Sequence, residues 1–151
     1  MKPSEEFFSG QRYAIFGVKA KGRAQGPVLI NALVKAGKEA IAIEQNPIQI
    51  KNATVHKTLA EAGTVDGVIL LPPTPWDESA AEFVADAVRQ CKEQGIDSIW
   101  IYTPDDPSAA ESIAEREGFN PYSNQCPCLY ISGGGFPHNL HQFLAKLFKM
   151  T

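Results

Sequence analysis

Cysteine is scarce and odd in number, at Cys91, Cys126 and Cys128. Such a set does not suggest a disulfide framework and fits a reducing compartment. Histidine is as rare, with His56, His138 and His141 the only examples. His138 and His141 have a spacing that can share a metal, but no carboxylate or cysteine lies nearby in sequence to complete a site. They read as surface or cap residues, His56 takes no role, and no metal is assigned. Positive charge is not in excess: 14 Lys and Arg face 17 Asp and Glu, for a net charge of −3. With a sequence pI near 5.6, there is no broad basic field of the kind nucleic acid requires. Long apolar runs are missing too. No segment approaches the ~20 residues of a membrane span, and Met1-Lys-Pro-Ser-Glu-Glu-Phe-Phe8 has no apolar signal core. The expectation is a cytoplasmic protein with neither nucleic-acid nor membrane partners.

What is present suits one domain of 151 residues, with 44% hydrophobic residues to build a core. Mostly apolar runs predict strands at Tyr13–Phe16, Ala40–Glu44, Gly67–Leu71 and Ser98–Tyr102, with a fifth at Cys128–Ser132. Helical patterns fill the gaps at Val28–Ala36, Lys57–Ala62, Asp77–Gln94 and Ser108–Glu117. Gly37, Gly63, Gly95 and Gly118 stand where C-terminal caps belong. Alternation of this kind predicts an α/β fold with a doubly wound parallel sheet of about five strands. After Ser132-Gly-Gly-Gly135, the stripe Leu140, Phe143, Leu144, Leu147 and Phe148 predicts an extra helix over 137–150, packed on the same domain. No repeat, low-complexity tract or dividing linker appears.

The most telling stretch is Gly17-Val18-Lys19-Ala-Lys21-Gly22-Arg23-Ala-Gln-Gly26, between the first strand and first helix. Glycines permit a sharp turn and close ligand approach, while a helix N-terminus and three cations gather positive potential. The place suits an anion, above all a phosphate-bearing cofactor. It is not a Walker A loop, since Arg23-Ala24 stands where Lys and Ser or Thr are needed. The dinucleotide fingerprint G-x-G-x-x-G is absent as well, although Glu44 ends the second strand and can hold a ribose hydroxyl. A solvated glycine-rich connection is the plain alternative.

In an open α/β sheet the ligand lies beyond the C-terminal strand ends. Four segments are expected to meet there: the Gly17–Gly26 loop, Glu44–Pro47, Leu71–Trp76 and Tyr102–Asp106. Prolines in the third give either a rigid apolar ledge for a ligand or simply a stiff connection into a helix.

Gly22-Arg-Ala-Gln-Gly26, Gln45-Asn46-Pro47, Leu71-Pro72-Pro73-Thr74-Pro75 and Asn124-Gln125-Cys126-Pro127 together resemble the CoA-binding domain family, over about Arg12 to Ile131. That family includes the N-terminal domain of the succinyl-CoA synthetase α subunit and small stand-alone proteins. The resemblance implies a Rossmann-like domain that holds CoA or an acyl-CoA across the strand ends. Gly17, Val18, Gly22, Arg23 and Gly26 would cradle phosphate, with Lys19 and Lys21 adding charge. Asn46 and Pro47 would lie near the adenosine half, and Pro73, Thr74 and Pro75 would line the nucleotide or pantetheine path. Cys126 and Pro127 match the Cys-Pro of the family's last loop. Two departures stand out. Val18-Lys19-Ala20 replaces the Ser that small members usually carry shortly after the first glycine. The synthetase subunit also continues into a domain with a phosphorylated histidine, so a complete ligase reaction is not expected of this chain.

No catalytic constellation emerges. Asp105 and Asp106 are a carboxylate pair in Asp-Asp-Pro-Ser, which is also an ordinary helix start. Cys126-Pro-Cys128 lacks the two-residue spacing of redox and zinc pairs and reads as packing, with thiol exchange at Cys126 as the alternative. Two function classes remain: a non-catalytic binder of CoA thioesters, alone or with a protein partner or second copy, and an NAD(P)-binding oxidoreductase or redox sensor. The basic loop favours CoA, which brings more phosphate charge than NAD.

Overall fold

Residues 12–16 and 39–43 are almost wholly apolar after a charged first residue, so they suit the middle of a sheet covered on both sides. In the computed structural model, which describes residues 6–18, 25–46, 48–123 and 125–131, they form β1 (Arg12–Phe16) and β2 (Glu39–Ile43). They are joined by β3 (Thr54–His56), β4 (Gly67–Leu70) and β5 (Ile99–Ile101) in the order β3-β2-β1-β4-β5. All four pairings are parallel, with Ile15 opposite Ala42 on one side and Ile69 on the other. The helices are α1 (Gln25–Lys35), α2 (Leu59–Ala62), α3 (Glu78–Glu93) and α4 (Ser108–Arg116).

Successive strand residues point to opposite faces, and this splits the core in two. Tyr13, Ile15, Ala40, Ala42, Ile69 and Trp100 pack under Leu29, Ile30 and Leu33 of α1, with Phe7 and Phe8 alongside. Ala14, Phe16, Ile41, Ile43, Val68, Leu70, Ile99 and Ile101 pack under α2, α3 and α4. The sheet is therefore doubly wound, as the alternation of patterns predicts. Its order reverses at β1, whose neighbours are β2 and β4.

Local signals explain the helix ends. Asp77 starts α3 by accepting from the Ala80 N–H at 3.0 Å, and Thr58 starts α2 by accepting from Glu61 N–H. Gly37, Gly63, Gly95 and Gly118 all have positive φ just beyond the helices, in the expected capping places.

One expectation needs correction. Residues 128–131 do not form a strand: Pro127–Leu129 is a short 3-10 helix, and Cys128 and Ile131 are buried on the α1 face. Proline at its first position pre-sets helical φ and lacks the N–H that a strand would use. The fifth strand is instead β3, a partly exposed edge whose Thr54, Val55 and His56 pair with Ile41, Ala42 and Ile43. The helix expected over 137–150 lies outside the described residues.

Candidate functional site

The strand ends are drawn together by backbone contacts that start at Gly17. This residue ends β1 with φ +93, a conformation that glycine adopts freely and other residues only at a cost. Space is equally restrictive: a Cβ here would overlap the Leu71 carbonyl oxygen and lie 3.1 Å from Phe83 Cζ. Leu71 N–H donates to Phe16 O at 2.9 Å, which fastens the segment after β4 to the end of β1. The next link runs from the third segment to the fourth, where Trp76 N–H donates to Asp105 Oδ2 at 3.0 Å. Thr103 Oγ1 accepts from Asp105 N–H at 3.2 Å, so Asp105 is itself positioned.

Gly26, in the first turn of α1, lies directly against the residue after Gly17. A Cβ on Gly26 would stand 2.8 Å from Val18 Cα and 3.0 Å from its carbonyl carbon. Val18 is buried in the α1-side core, so the helix starts in close contact with the turn that precedes it. Gly17, Val18 and Gly26 thus meet, and α1 presents its N-terminus beside the switch in strand order. Lys19, Lys21, Gly22 and Arg23 fall in the connection between them and lie outside the described residues, as does Pro47.

The second segment opens a groove of ≈ 520 Å³ at the ends of β1 and β2. Phe16, Ile43 and Phe83 give it an apolar floor, and Glu44, Gln45 and Asn46 give it a polar rim. The far wall is one stripe of α3, formed by Ser79, Glu82, Phe83, Asp86 and Gln90. Lys57 adds a cation and also lines an adjoining groove of ≈ 340 Å³ with Gln45, Asp86 and Gln90. Glu44 N–H donates to His56 O at 2.8 Å, so β3 fixes the backbone from which Glu44 projects.

Of the other residues expected to line a site, Pro73 and Thr74 are partly exposed and Pro75 is exposed, in a segment with a cis Thr74–Pro75 bond. Cys126 and Pro127 are buried. Cys126 packs in the α1-side core, whereas the groove beside Asn46 has its floor on the α3 side. The structure therefore does not bring Cys126 and the groove to one surface.

The remaining reactive candidates serve the fold. Cys91 is buried, and desolvation pushes its thiol up to about 12. Cys128 is raised well above the usual thiol range by its hydrogen bond with Cys126 and by burial. Asp106 accepts from Ser108 Oγ and N–H, which holds its carboxyl below the ordinary range. Asp77 is lowered by Ser79 and by the Ala80 N–H that it caps. Gln90 is buried but satisfied: its Oε1 accepts from Leu59 N–H at 2.9 Å and its Nε2 donates to Asp86 Oδ2 at 2.8 Å. No group of three or more metal-binding side chains occurs among the described residues, and no helix there is long and apolar enough to cross a membrane.

The groove residues on α3 were not foreseen from sequence. The apolar stripe of this helix is what the periodicity displays. The second stripe, from Ser79 through Phe83 and Asp86 to Gln90, keeps the same helical spacing and was the available signal.

A family model described as a CoA binding domain matches residues 11–132. No curated protein matches the chain. Among solved structures, a conserved hypothetical protein from Pyrococcus furiosus aligns with a TM-score of 0.62 at 15% identity, over 80% of this chain and 98% of that one. A Thermus thermophilus protein aligns with a TM-score of 0.65 at 11% identity, over 85% and 96% of the two chains. The UDP-N-acetylglucosamine 4-epimerase of Bacillus cereus aligns at 0.55 and 13% identity, covering 76% of this chain and 54% of its own. At such identities these likenesses show a shared α/β fold.

Proposed function

Because the chain belongs to the CoA-binding domain family, we propose that it binds CoA or an acyl-CoA at the C-terminal ends of its parallel strands, without catalysing a reaction itself. The observation that carries this reading is the convergence of the Gly17 turn, the N-terminus of α1 and the groove beside Asn46 at the switch in strand order. In this reading the pyrophosphate lies at the start of α1, where Gly17, Val18, Gly22 and Gly26 allow close approach and Lys19, Lys21 and Arg23 supply charge. The adenosine half takes the groove at Asn46 and Pro47. The pantetheine arm runs past Pro73, Thr74 and Pro75, and Cys126 and Pro127 support the α1 side from within.

A non-catalytic role is supported by how the reactive side chains are spent. Asp105 holds Trp76 N–H, Asp77 and Asp106 hold helix starts, and the Cys91 and Cys128 thiols are buried with raised pKa. The protein is read as one cytoplasmic domain over residues 1–151, with a CoA thioester as its small-molecule partner. One observation favours a second reading as an NAD-dependent protein: Glu44 lies at the end of β2, where an acid can hold a ribose diol. Calorimetric titration separates the two. CoA or acetyl-CoA should bind more tightly than NAD and NADP under the same conditions, and the reverse order overturns the assignment.

A further inference from the structure

We infer that Asp105 is a positioning residue for the pantetheine arm: it holds Trp76 N–H and so fixes the proline ledge, Pro73 to Pro75, past which the arm runs. The inference rests on the CoA reading above and concerns only that arm. Between Leu71 and Asp77 the backbone has few hydrogen bonds to give, because Pro72, Pro73 and Pro75 lack an N–H and leave Thr74 and Trp76 as the donors. Proline also fixes φ, so the stretch is stiff but has little with which to fasten itself to its surroundings. Leu71 N–H donates to Phe16 O at 2.9 Å at one end, and Asp77 accepts from Ala80 N–H at 3.0 Å at the other. Next to Pro75, the bond from Trp76 N–H to Asp105 Oδ2 at 3.0 Å ties the ledge to the neighbouring strand-end loop.

Asp105 can serve as an anchor because its own loop is fixed. Tyr102 N–H donates to Leu70 O at 3.0 Å as β5 ends, Asp105 N–H donates to Thr103 Oγ1 at 3.2 Å, and Asp106 accepts from Ser108 N–H at 3.0 Å where α4 starts. Asp105 is half-buried, and Trp76 packs against the α3-side core. A carboxylate that accepts from an N–H makes a charge-assisted bond, stronger than a neutral one. Without that bond the ledge is looser, and part of the binding energy of the arm goes into ordering it. Pyrophosphate and adenosine are assigned to the start of α1 and to Asn46, on other segments, so loosening the ledge costs the arm and spares them.

Titrations with CoA and with 3′-phospho-ADP, which is CoA without its arm, test this on the wild type, Asp105→Ala and Asp105→Asn. The wild type should bind CoA more tightly than 3′-phospho-ADP. Asp105→Ala should lose about tenfold in CoA affinity, the low end of what one hydrogen bond to a charged group is worth, while its affinity for 3′-phospho-ADP stays within about twofold. That retained binding also shows that the variant is folded. Asp105→Asn keeps an oxygen that accepts from Trp76 N–H, and it should restore most of the CoA affinity. Equal binding of the two ligands by the wild type, equal losses of both or of neither in Asp105→Ala, or a loss in Asp105→Asn as large as in Asp105→Ala would each overturn the positioning role and leave the CoA reading intact. Failure of the wild type to bind either ligand would overturn the CoA reading itself.

Discussion

Replacing Gly17 by alanine tests whether the turn after β1 is set by the protein's own backbone, and Gly37 provides the control. Both glycines have positive φ, +93 and +78. A left-handed conformation costs an L-residue about 1–2 kcal/mol at either place. They differ in space: nothing lies within 4 Å of a Cβ on Gly37, whereas one on Gly17 would overlap the Leu71 carbonyl oxygen and stand 3.1 Å from Phe83 Cζ. The Leu71 backbone cannot retreat without straining its hydrogen bond to Phe16 O, worth about 0.5–1.5 kcal/mol. Forced overpacking adds roughly 1–3 kcal/mol. Gly17→Ala should therefore lose about 2.5–6.5 kcal/mol and Gly37→Ala about 1–2 kcal/mol. Urea denaturation with a common slope reads the difference. Losses that agree within about 0.5 kcal/mol would refute the claim that the Leu71 carbonyl sets the residue at position 17.

Gln90→Leu should cost about 1–3 kcal/mol, because it leaves the Leu59 N–H without its acceptor. A loss below about 0.5 kcal/mol in chemical denaturation would mean that the bond is replaced by water. Asp66 accepts from the Arg12 and Gln11 N–H groups, which hold its carboxyl below the ordinary carboxylate range. Its contribution to stability is thus full above the unfolded value and is lost as pH falls through the lower folded value. Stability measured from pH 5 downward should fall less in Asp66→Asn than in the wild type, and parallel curves would contradict this. The thiols of Cys91, Cys126 and Cys128, all buried, should react slowly with an aromatic disulfide reagent in the native protein and fast after unfolding. Rapid labelling of one native thiol would reopen a redox role for it. Arg23→Ala should weaken CoA binding by about 1.5–3 kcal/mol if the guanidinium meets phosphate directly. Unchanged affinity and an unchanged salt dependence would place the phosphates elsewhere.

The sequence was most legible where a single physical signal decides the outcome. β1, β2, β4 and β5 are continuous apolar runs, and the glycine after each helix adopts the positive φ that its place requires. β3 was missed because an edge strand of three residues, Thr54, Val55 and His56, has little apolar content to display. Cys128 to Ile131 misled for the opposite reason. Their apolar, β-prone composition reflects burial against the α1 face, while Pro127 directs the backbone into a 3-10 turn. That strand-end segments lie on one side follows from parallel topology, and the Gly17–Leu71 and Trp76–Asp105 contacts link the described parts of the first, third and fourth of them. The α3 wall of the groove was hidden because Ser79, Glu82 and Asp86 look like an ordinary solvated face until β2 is placed beside them.

Whether the strand ends hold a CoA-type nucleotide can be read from a ligand competition followed by native mass spectrometry. The protein is mixed with equal concentrations of CoA, dephospho-CoA, NAD and NADP, and the mass of the retained ligand is measured. A pantetheine-bearing nucleotide should dominate the adducts; adducts dominated by NAD or NADP would rule out a CoA-type ligand at this site.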